Sequence, residues 1–256
     1  MTEVHHVEHG PPDGPVVVLS GSLGSDLGMW DPQVRPLAEA GFRVVRYDHR
    51  GHGASPVPPG PYRLADLADD ATALLDRLGA RRAHWVGLSL GGMVGMWLAA
   101  HHPERVAGLV LCCTSTAPGP PEGWAERAAA VRAGGAVAVA DAVVARWFTP
   151  GWLAADPGRA ARYRDMVAAT PAEGYASCCT AIATMRLTDV LPRITAPTLV
   201  LSGAEDPATP PEHGERIARA IRGARLEVVA GAAHLGNVEQ PGRFTDEVLR
   251  HLEVNP

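Results

Sequence analysis

The sequence lacks the features that mark several large classes of protein. Its formal net charge of -5 at pH 7 provides no excess of positive charge for binding nucleic acid or an anionic membrane. No apolar run is long enough to cross a bilayer, and the longest, "AGGAVAVADAVVA", contains Asp141. The first ten residues, "MTEVHHVEHG", have neither the basic nor the apolar segment of a signal peptide. We therefore expect a cytoplasmic protein without a nucleic-acid or membrane partner, whereas its oligomeric state stays open.

Cysteine is scarce, and the few cysteines are oddly spaced. The four cysteines form two adjacent pairs, Cys112–Cys113 and Cys178–Cys179. Adjacent pairs match neither the ligand spacing of a zinc site nor a secreted disulfide framework. No G-x-G-x-x-G or Walker pattern follows an apolar run. The sequence thus predicts reduced thiols and a protein that needs no metal ion and no organic cofactor.

Short apolar runs alternate with longer helical patterns along the chain. Most of these runs are continuously apolar, which is typical of parallel strands covered on both faces. The pattern therefore predicts an α/β fold with a doubly wound, mostly parallel sheet. The predicted strands cover residues 16–20, 42–48, 83–89, 106–113, 197–203 and 225–231. Predicted helices include residues 31–41, with Asp31 as N-cap and Pro32 as first residue, followed by 64–79 and 91–103.

One long region breaks this alternation. Between residues 116 and 187, helical patterns are separated by glycine and proline turns, and no strand pattern occurs. A helical insertion between two sheet strands predicts a lid over the carboxyl edge, where open α/β sheets bind ligands. The alternative is a structural subdomain that only buries the sheet. We divide the chain into an α/β core, residues 1–115 and 188–256, and a helical lid, residues 116–187.

The stretch "VGLSLGG" at residues 86–92 places one serine between glycines at the end of a predicted strand. Gly87 to Gly91 match G-x-S-x-G, the pattern of a nucleophile elbow, in which a sharp strand-to-helix turn exposes Ser89. Both glycines are needed because larger side chains would collide in so tight a turn. The alternative is a glycine-rich turn with an incidental serine, since short motifs often match by chance.

A serine nucleophile needs a base, and the base needs an acid that orients it. His234, in "GAAHLGN", follows the last predicted strand, and Asp206, in "LSGAEDPATP", follows the strand before it. The order Ser89, Asp206, His234 is that of α/β-hydrolases, so the three strand ends together favour a catalytic triad. His49 and His52 also follow a strand, and we predict that they belong to a structural loop beside the site.

The charge that develops on a substrate carbonyl needs two backbone N–H donors, which together form an oxyanion hole. One should come from Leu90, directly after the nucleophile. The other should come from the loop after the first predicted strand, "SGSLGSD", where our choice is Ser22 after Gly21.

Several segments resemble 3-oxoadipate enol-lactonases, which are α/β-hydrolases of aromatic-compound catabolism in the β-ketoadipate pathway. "GLSLGGMVGMWL" and "HLGNVEQP" have counterparts in many α/β-hydrolases, whereas "VRAGG", "RWFTP" and "EGYASCC" point to this family in particular. The resemblance implies Ser89 as nucleophile, Asp206 as acid and His234 as base. It also implies hydrolysis of a carboxylated enol-lactone to 3-oxoadipate through an acyl-enzyme. Against the pattern of this fold, the sequence shows no separate first strand, so residues 2–10 are expected at the sheet edge.

The carboxylate of such a substrate needs a cation or amide donors. The predicted lid offers three arginines, Arg127, Arg132 and Arg146. Arg132 is our first choice because it lies in the family-specific "VRAGG", although any of the three could instead be solvated. The aromatic residues expected at the pocket are Trp30, Trp124 and Trp147, which could equally serve in packing.

Two other functions stay open. The first is another carboxylester hydrolase of the same fold, such as a pimeloyl-ester esterase or a perhydrolase-like esterase. The second is a hydrolase-fold receptor without turnover, although such proteins commonly lose a triad member and all three are present here. A haloalkane dehalogenase is disfavoured because it needs an aspartate at the position of Ser89.

Overall fold

The computed structural model of the protein, which describes residues 1–254, is built on a seven-stranded sheet. Its strands are β1 (His6–His9), β2 (Val16–Ser20), β3 (Arg43–Tyr47), β4 (Ala83–Leu88), β5 (Val106–Cys112), β6 (Thr198–Gly203) and β7 (Arg225–Val229). The order across the sheet is β1-β3-β2-β4-β5-β6-β7, and only the β1–β3 pair among these is antiparallel. The predicted mostly parallel sheet is confirmed, with residues 6–9 at its edge.

The apolar runs form the central strands because both faces of the sheet are covered. Every residue of β4, β5 and β6 is buried, which explains why these strands show no polar alternation. Since β2 and β4–β7 run in parallel, their carboxyl ends lie along one edge of the sheet. The segments that follow these strands contain Ser22, Ser89, Asp206 and His234, which are thereby brought to the same edge.

The helices cover the two faces and one edge of this sheet. They are α1 (Asp31–Glu39), α2 (Leu64–Arg77), α3 (Leu90–His101), α4 (Pro121–Gly134), α5 (Val137–Trp147), α6 (Pro150–Ala155), α7 (Pro157–Ala168), α8 (Ala172–Thr184), α9 (Pro211–Ala220), α10 (Gly236–Glu239) and α11 (Pro241–Glu253). Short 3₁₀ helices lie at Leu27–Trp30, Pro103–Arg105 and Thr188–Arg193. None of the helices in residues 1–254 has the length and apolar character to cross a membrane.

The predicted N-cap of α1 is wrong by one residue. Asp31 is the first residue of the helix, and Trp30 occupies the N-cap position. The reason is the 3₁₀ helix that leads directly into α1, which keeps Asp31 in helical conformation. Its carboxylate instead bonds the guanidinium groups of Arg46 and Arg162.

The insertion between β5 and β6 consists of helices joined by short non-helical segments. It contains α4 to α8, and no strand interrupts them among residues 116–187 of the described chain. α4 packs along α8, and α5 packs along α7.

All four cysteines are buried and free.

Candidate active site

Ser89 occupies a strained turn between β4 and α3. Its backbone has φ 55° and ψ -112°, a conformation that costs a side-chain-bearing residue energy and that persists where neighbours enforce it. A Cβ added to Gly87 would lie 2.2 Å from the carbonyl oxygen of Gly91. A Cβ added to Gly91 would lie 2.1 Å from the carbonyl oxygen of Ser20. The two glycines of the motif are therefore steric requirements of the turn.

Backbone hydrogen bonds fix this turn from both sides. The N–H of Ser89 donates to the carbonyl oxygen of Cys112 at 3.0 Å, and the hydroxyl of Thr114 donates to the carbonyl oxygen of Ser89 at 2.7 Å. Leu90 begins the twelve-residue helix α3, so its N–H lies at the positive end of the helix dipole. Negative charge beside Ser89 is therefore favoured.

Asp206 and His234 form a buried pair beside the serine. His234 Nδ1 lies 2.8 Å from Asp206 Oδ2. The same carboxylate accepts hydrogen bonds from the Thr209 hydroxyl at 2.7 Å and from the N–H groups of Ala208 and Thr209 at 2.8 and 3.0 Å. Burial raises the pKa of Asp206, but the attraction to His234 and these hydrogen bonds outweigh it and lower the pKa overall. The ionised carboxylate holds the proton on Nδ1, which leaves Nε2 free to act as a base.

A cavity of about 710 Å³, including the space at its mouth, opens above Ser89. The residues that line it from the sheet edge are Ser22, Leu23, Ser89, Met93, Pro207, Ala208, Thr209 and His234. Those from the helical insertion are Pro118, Trp124, Arg127, Val143, Arg146, Trp147, Tyr175 and Ile182. Ser89 and His234 share this cavity, although no hydrogen bond joins their side chains in residues 1–254. Such contacts are often loose in an enzyme without substrate.

The prediction that Ser22 supplies an oxyanion donor conflicts with the hydrogen bond that its N–H already makes. The Ser22 N–H donates to the sulfur of Met29 at 3.2 Å, so it already has an acceptor. The next residue, Leu23, lines the same cavity, and its N–H has no acceptor in the described chain. Leu23 therefore replaces Ser22 as the second candidate donor, beside Leu90.

The structure also revises the choice among the three arginines. Arg132 lies outside the cavity lining and pairs with Glu173, with Nε 3.2 Å from Oε2. Arg127 and Arg146 line the cavity instead, and neither has a carboxylate partner in residues 1–254. The Arg127 guanidinium carbon lies 5.3 Å from the centre of the Trp124 ring, which holds this half-buried side chain at the cavity wall.

Of the three tryptophans expected at the pocket, only two line the cavity. Trp124 and Trp147 line the cavity, whereas Trp30 lies in the core with 1% of its surface exposed and does not reach it. The prediction that Trp30 lies at the pocket is wrong because this residue ends the 3₁₀ helix before α1 and packs into the core there. The carbonyl oxygen of Trp147 accepts a hydrogen bond from Leu235 at 2.8 Å, which ties the insertion to the segment carrying His234.

Sequence reasoning missed Tyr175 and Thr209 in addition to Leu23. Tyr175 is buried in α8 at the cavity wall, and burial raises its pKa, so its hydroxyl stays protonated. The position of Thr209, three residues after Asp206 and before a proline-rich helix start, was the available signal for its hydrogen bond. No group of three or more histidine, cysteine, aspartate or glutamate residues in the described chain is arranged to hold a metal ion.

Comparison with known proteins agrees with this geometry. A model of the α/β hydrolase fold matches residues 14–241. The chain belongs to the α/β-hydrolase family.

Within that family, the chain is 40% identical to 3-oxoadipate enol-lactonase 2 of Acinetobacter baylyi, over 96% of this chain and 91% of the relative. It superposes with a TM-score of 0.96 on the crystal structure of the enol-lactonase from Burkholderia xenovorans LB400, at 44% identity and covering 98% and 97% of the two chains. A RutD protein of Variovorax paradoxus, named as a carbamate hydrolase, is 34% identical over 97% of this chain and 96% of the relative. The resemblance to 3-oxoadipate enol-lactonases is confirmed.

Proposed function

We propose that the protein hydrolyses 3-oxoadipate enol-lactone to 3-oxoadipate by means of Ser89, His234 and Asp206. The observation that carries this proposal is that one cavity brings together the elbow serine, the base of the Asp206–His234 pair and two arginines without a carboxylate partner in residues 1–254. Two of the named relatives support it, since the chain is 40% identical to one enol-lactonase and 44% identical to another.

The proposed reaction begins with attack on the lactone carbonyl. Ser89 Oγ forms a bond to the carbonyl carbon, and its proton passes to His234 Nε2. The N–H groups of Leu23 and Leu90 donate to the resulting oxyanion. When the intermediate collapses, the ring C–O bond breaks, and His234 returns the proton to the enol oxygen that leaves.

Water completes the proposed cycle. It attacks the acyl-enzyme with His234 as base, the bond to Ser89 Oγ breaks as His234 returns the proton to that oxygen, and the new carboxyl group is released and ionises to a second carboxylate. The released enol converts to the ketone, so the sum of the steps is one lactone and one water to one 3-oxoadipate dianion and one proton. Asp206 stays ionised throughout and stabilises the positive charge on His234 between the proton transfers.

We propose that residues 116–187 act as the lid over this site. α4 contributes Trp124 and Arg127 to the cavity, and α5 contributes Arg146 and Trp147. The apolar surfaces of the two tryptophans would exclude water from the lactone ring of the substrate. Exclusion of water strengthens the interactions of the charged groups in the cavity.

Arg127 is the proposed partner of the substrate carboxylate. It is half-buried, lines the cavity and has no carboxylate partner in the described chain. Its side chain hydrogen-bonds the neutral Tyr175 hydroxyl, which leaves further guanidinium donors for a carboxylate. Arg146 is exposed at the same cavity and is the second choice. A guanidinium group suits this role because its planar donors match a carboxylate with two hydrogen bonds.

The test compares kcat/KM for three substrates with the purified protein. They are the enol-lactone, followed by the loss of its ultraviolet absorbance, p-nitrophenyl acetate as a simple ester, and a carbamate. We expect the highest value for the enol-lactone. A preference for the simple ester would select the general esterase, and a preference for the carbamate would select the activity named for the RutD relative. No turnover of any of them would favour a binding protein.

A further inference from the structure

The loop Gly21–Ser25, here called the oxyanion loop, has an uneven pattern of backbone hydrogen bonds. The N–H of Ser22 donates to Met29 Sδ at 3.2 Å, and the N–H of Gly24 donates to His52 Nε2 at 3.0 Å. The N–H between them, that of Leu23, has no acceptor within the described chain. Two neighbouring donors are thus held by side chains outside the loop, while the middle one borders the cavity.

Met29 is fixed where it accepts the Ser22 N–H. The side chain is completely buried, and its sulfur lies 2.9 Å from the Ser25 hydroxyl, which shares its proton between this sulfur and the Ser22 carbonyl oxygen at 2.8 Å. Its carbonyl oxygen accepts from Asn237 Nδ2 at 2.9 Å, and Asn237 lies three residues after His234. Met29 therefore connects the oxyanion loop to the segment that carries the base.

The tautomer of His52 makes its Nε2 a hydrogen-bond acceptor for the Gly24 N–H. Its Nδ1 lies 3.2 Å from the carbonyl oxygen of Arg50 and donates its proton there, which leaves Nε2 as the acceptor for Gly24. Burial lowers the pKa of His52 to about 4, so the neutral ring and this acceptor persist at neutral pH.

We propose that Met29 and His52 are positioning residues that aim the Leu23 N–H at the developing oxyanion. A peptide plane turns by paired changes of ψ and φ at its two flanking Cα atoms, and these changes are restricted when the peptides on both sides are held by hydrogen bonds. By binding the donors on both sides of Leu23, the sulfur and the imidazole fix the orientation of the middle peptide. The inference rests on the proposed function, because it assigns these residues to the transition state of the Ser89 reaction.

The proposal predicts a loss in the chemical step and not in binding. Replacing Met29 with leucine keeps the volume and removes the sulfur acceptor. Loss of a whole oxyanion donor lowers kcat on the order of 10²- to 10³-fold, so a misdirected donor should lower it about tenfold or more. The matched control is Met96→Leu, the same change at a buried residue of α3 outside the cavity lining.

The second pair of variants is His52→Leu and His52→Gln. Leucine removes the acceptor for Gly24, and the amide oxygen of glutamine can replace it. We therefore expect a loss of about tenfold or more in kcat for the first and partial recovery for the second. Thermal unfolding of each variant establishes that it is folded before its rates are compared.

The experiment measures how fast a fluorophosphonate labels each variant. In this reaction Ser89 Oγ forms a bond to phosphorus, fluoride leaves, and negative charge grows on the phosphonyl oxygen. We expect Met29→Leu and His52→Leu to be labelled about tenfold more slowly or worse, and Met96→Leu to stay within about twofold of the wild type. The inhibition constant of adipate, which carries carboxylates but forms no tetrahedral oxyanion with Ser89, should not change.

The outcomes separate the two proposals. Labelling of Met29→Leu at the rate of Met96→Leu would overturn the inference while leaving the proposed nucleophile intact. Adipate binding that weakens in parallel with labelling would also overturn it, because it would show general damage to the site. A wild-type protein that is not labelled at Ser89 would instead overturn the proposed function itself.

Discussion

Arg127 provides the sharpest test of how the site selects its substrate. The side chain is half-buried at the cavity wall and has no carboxylate partner in residues 1–254, so its donors are not engaged by another anion. Replacement with leucine removes the charge and keeps much of the apolar stem against Trp124. The matched control is Arg132→Leu on the same helix, since Arg132 is exposed and pairs with Glu173 outside the cavity lining.

The expected magnitude follows from the environment of Arg127. A hydrogen bond between charged groups in a partly closed site contributes about 1.5–3 kcal/mol, and about 1.4 kcal/mol changes a rate tenfold. Arg127→Leu should therefore lower kcat/KM for the carboxylated enol-lactone by roughly 10- to 150-fold. Arg132→Leu loses only an exposed ion pair, which contributes roughly 0–1 kcal/mol to stability, and should leave kcat/KM within about twofold.

The assay compares two substrates with the wild type and both variants. One is the carboxylated enol-lactone, and the other is a neutral enol-lactone with methyl in place of the carboxymethyl group. Arg127→Leu should affect only the first. Equal losses on the two lactones, or a larger loss for Arg132→Leu, would refute the assignment. A small loss that disappears at high salt would show that the arginine only attracts the substrate from a distance.

Three further predictions concern the acid, the elbow and the buried histidines. Thr209→Val removes a 2.7 Å hydrogen bond to Asp206 and should lower kcat several-fold in steady-state assays, whereas an unchanged kcat would exclude a role for this hydroxyl. Gly91→Ala places a Cβ 2.1 Å from a backbone carbonyl oxygen and should lower the free energy of unfolding by about 1–3 kcal/mol or more; wild-type stability in urea would contradict the steric argument. Burial lowers the pKa of His49 to about 3 and that of His52 to about 4, so both bind protons only on unfolding as the pH falls below about 6.5. The free energy of unfolding should therefore fall between pH 6.5 and pH 5 by about 1.4 kcal/mol per pH unit for each histidine. Equal urea midpoints at pH 7 and pH 5 would contradict this.

The sheet was predictable because its signals are local and strong. Continuous apolar runs identify buried parallel strands, and the glycines at positions 87 and 91 mark the one sharp turn that needs them. Parallel topology then brings the carboxyl ends of the strands together, which is why Ser89 and the Asp206–His234 pair could be placed without coordinates.

The walls of the cavity were less predictable because they depend on how the helices of the insertion are rotated. Arg127 and Arg132 are five residues apart on α4, which turns about 100° per residue, so they lie about 140° apart around its axis. Only one of them can face the cavity, and the sequence does not say which. The choice of Ser22 failed for a similar reason, since an irregular loop has no period from which the direction of an N–H can be inferred.

The central claim is that Ser89 performs the hydrolysis of the enol-lactone, and its direct test is the turnover of this lactone by Ser89→Ala. The account predicts a fall in kcat on the order of 10³-fold or more, with unchanged thermal unfolding, because an alanine cannot form the acyl-enzyme. Wild-type hydrolysis that persists near its full rate in Ser89→Ala would contradict the account.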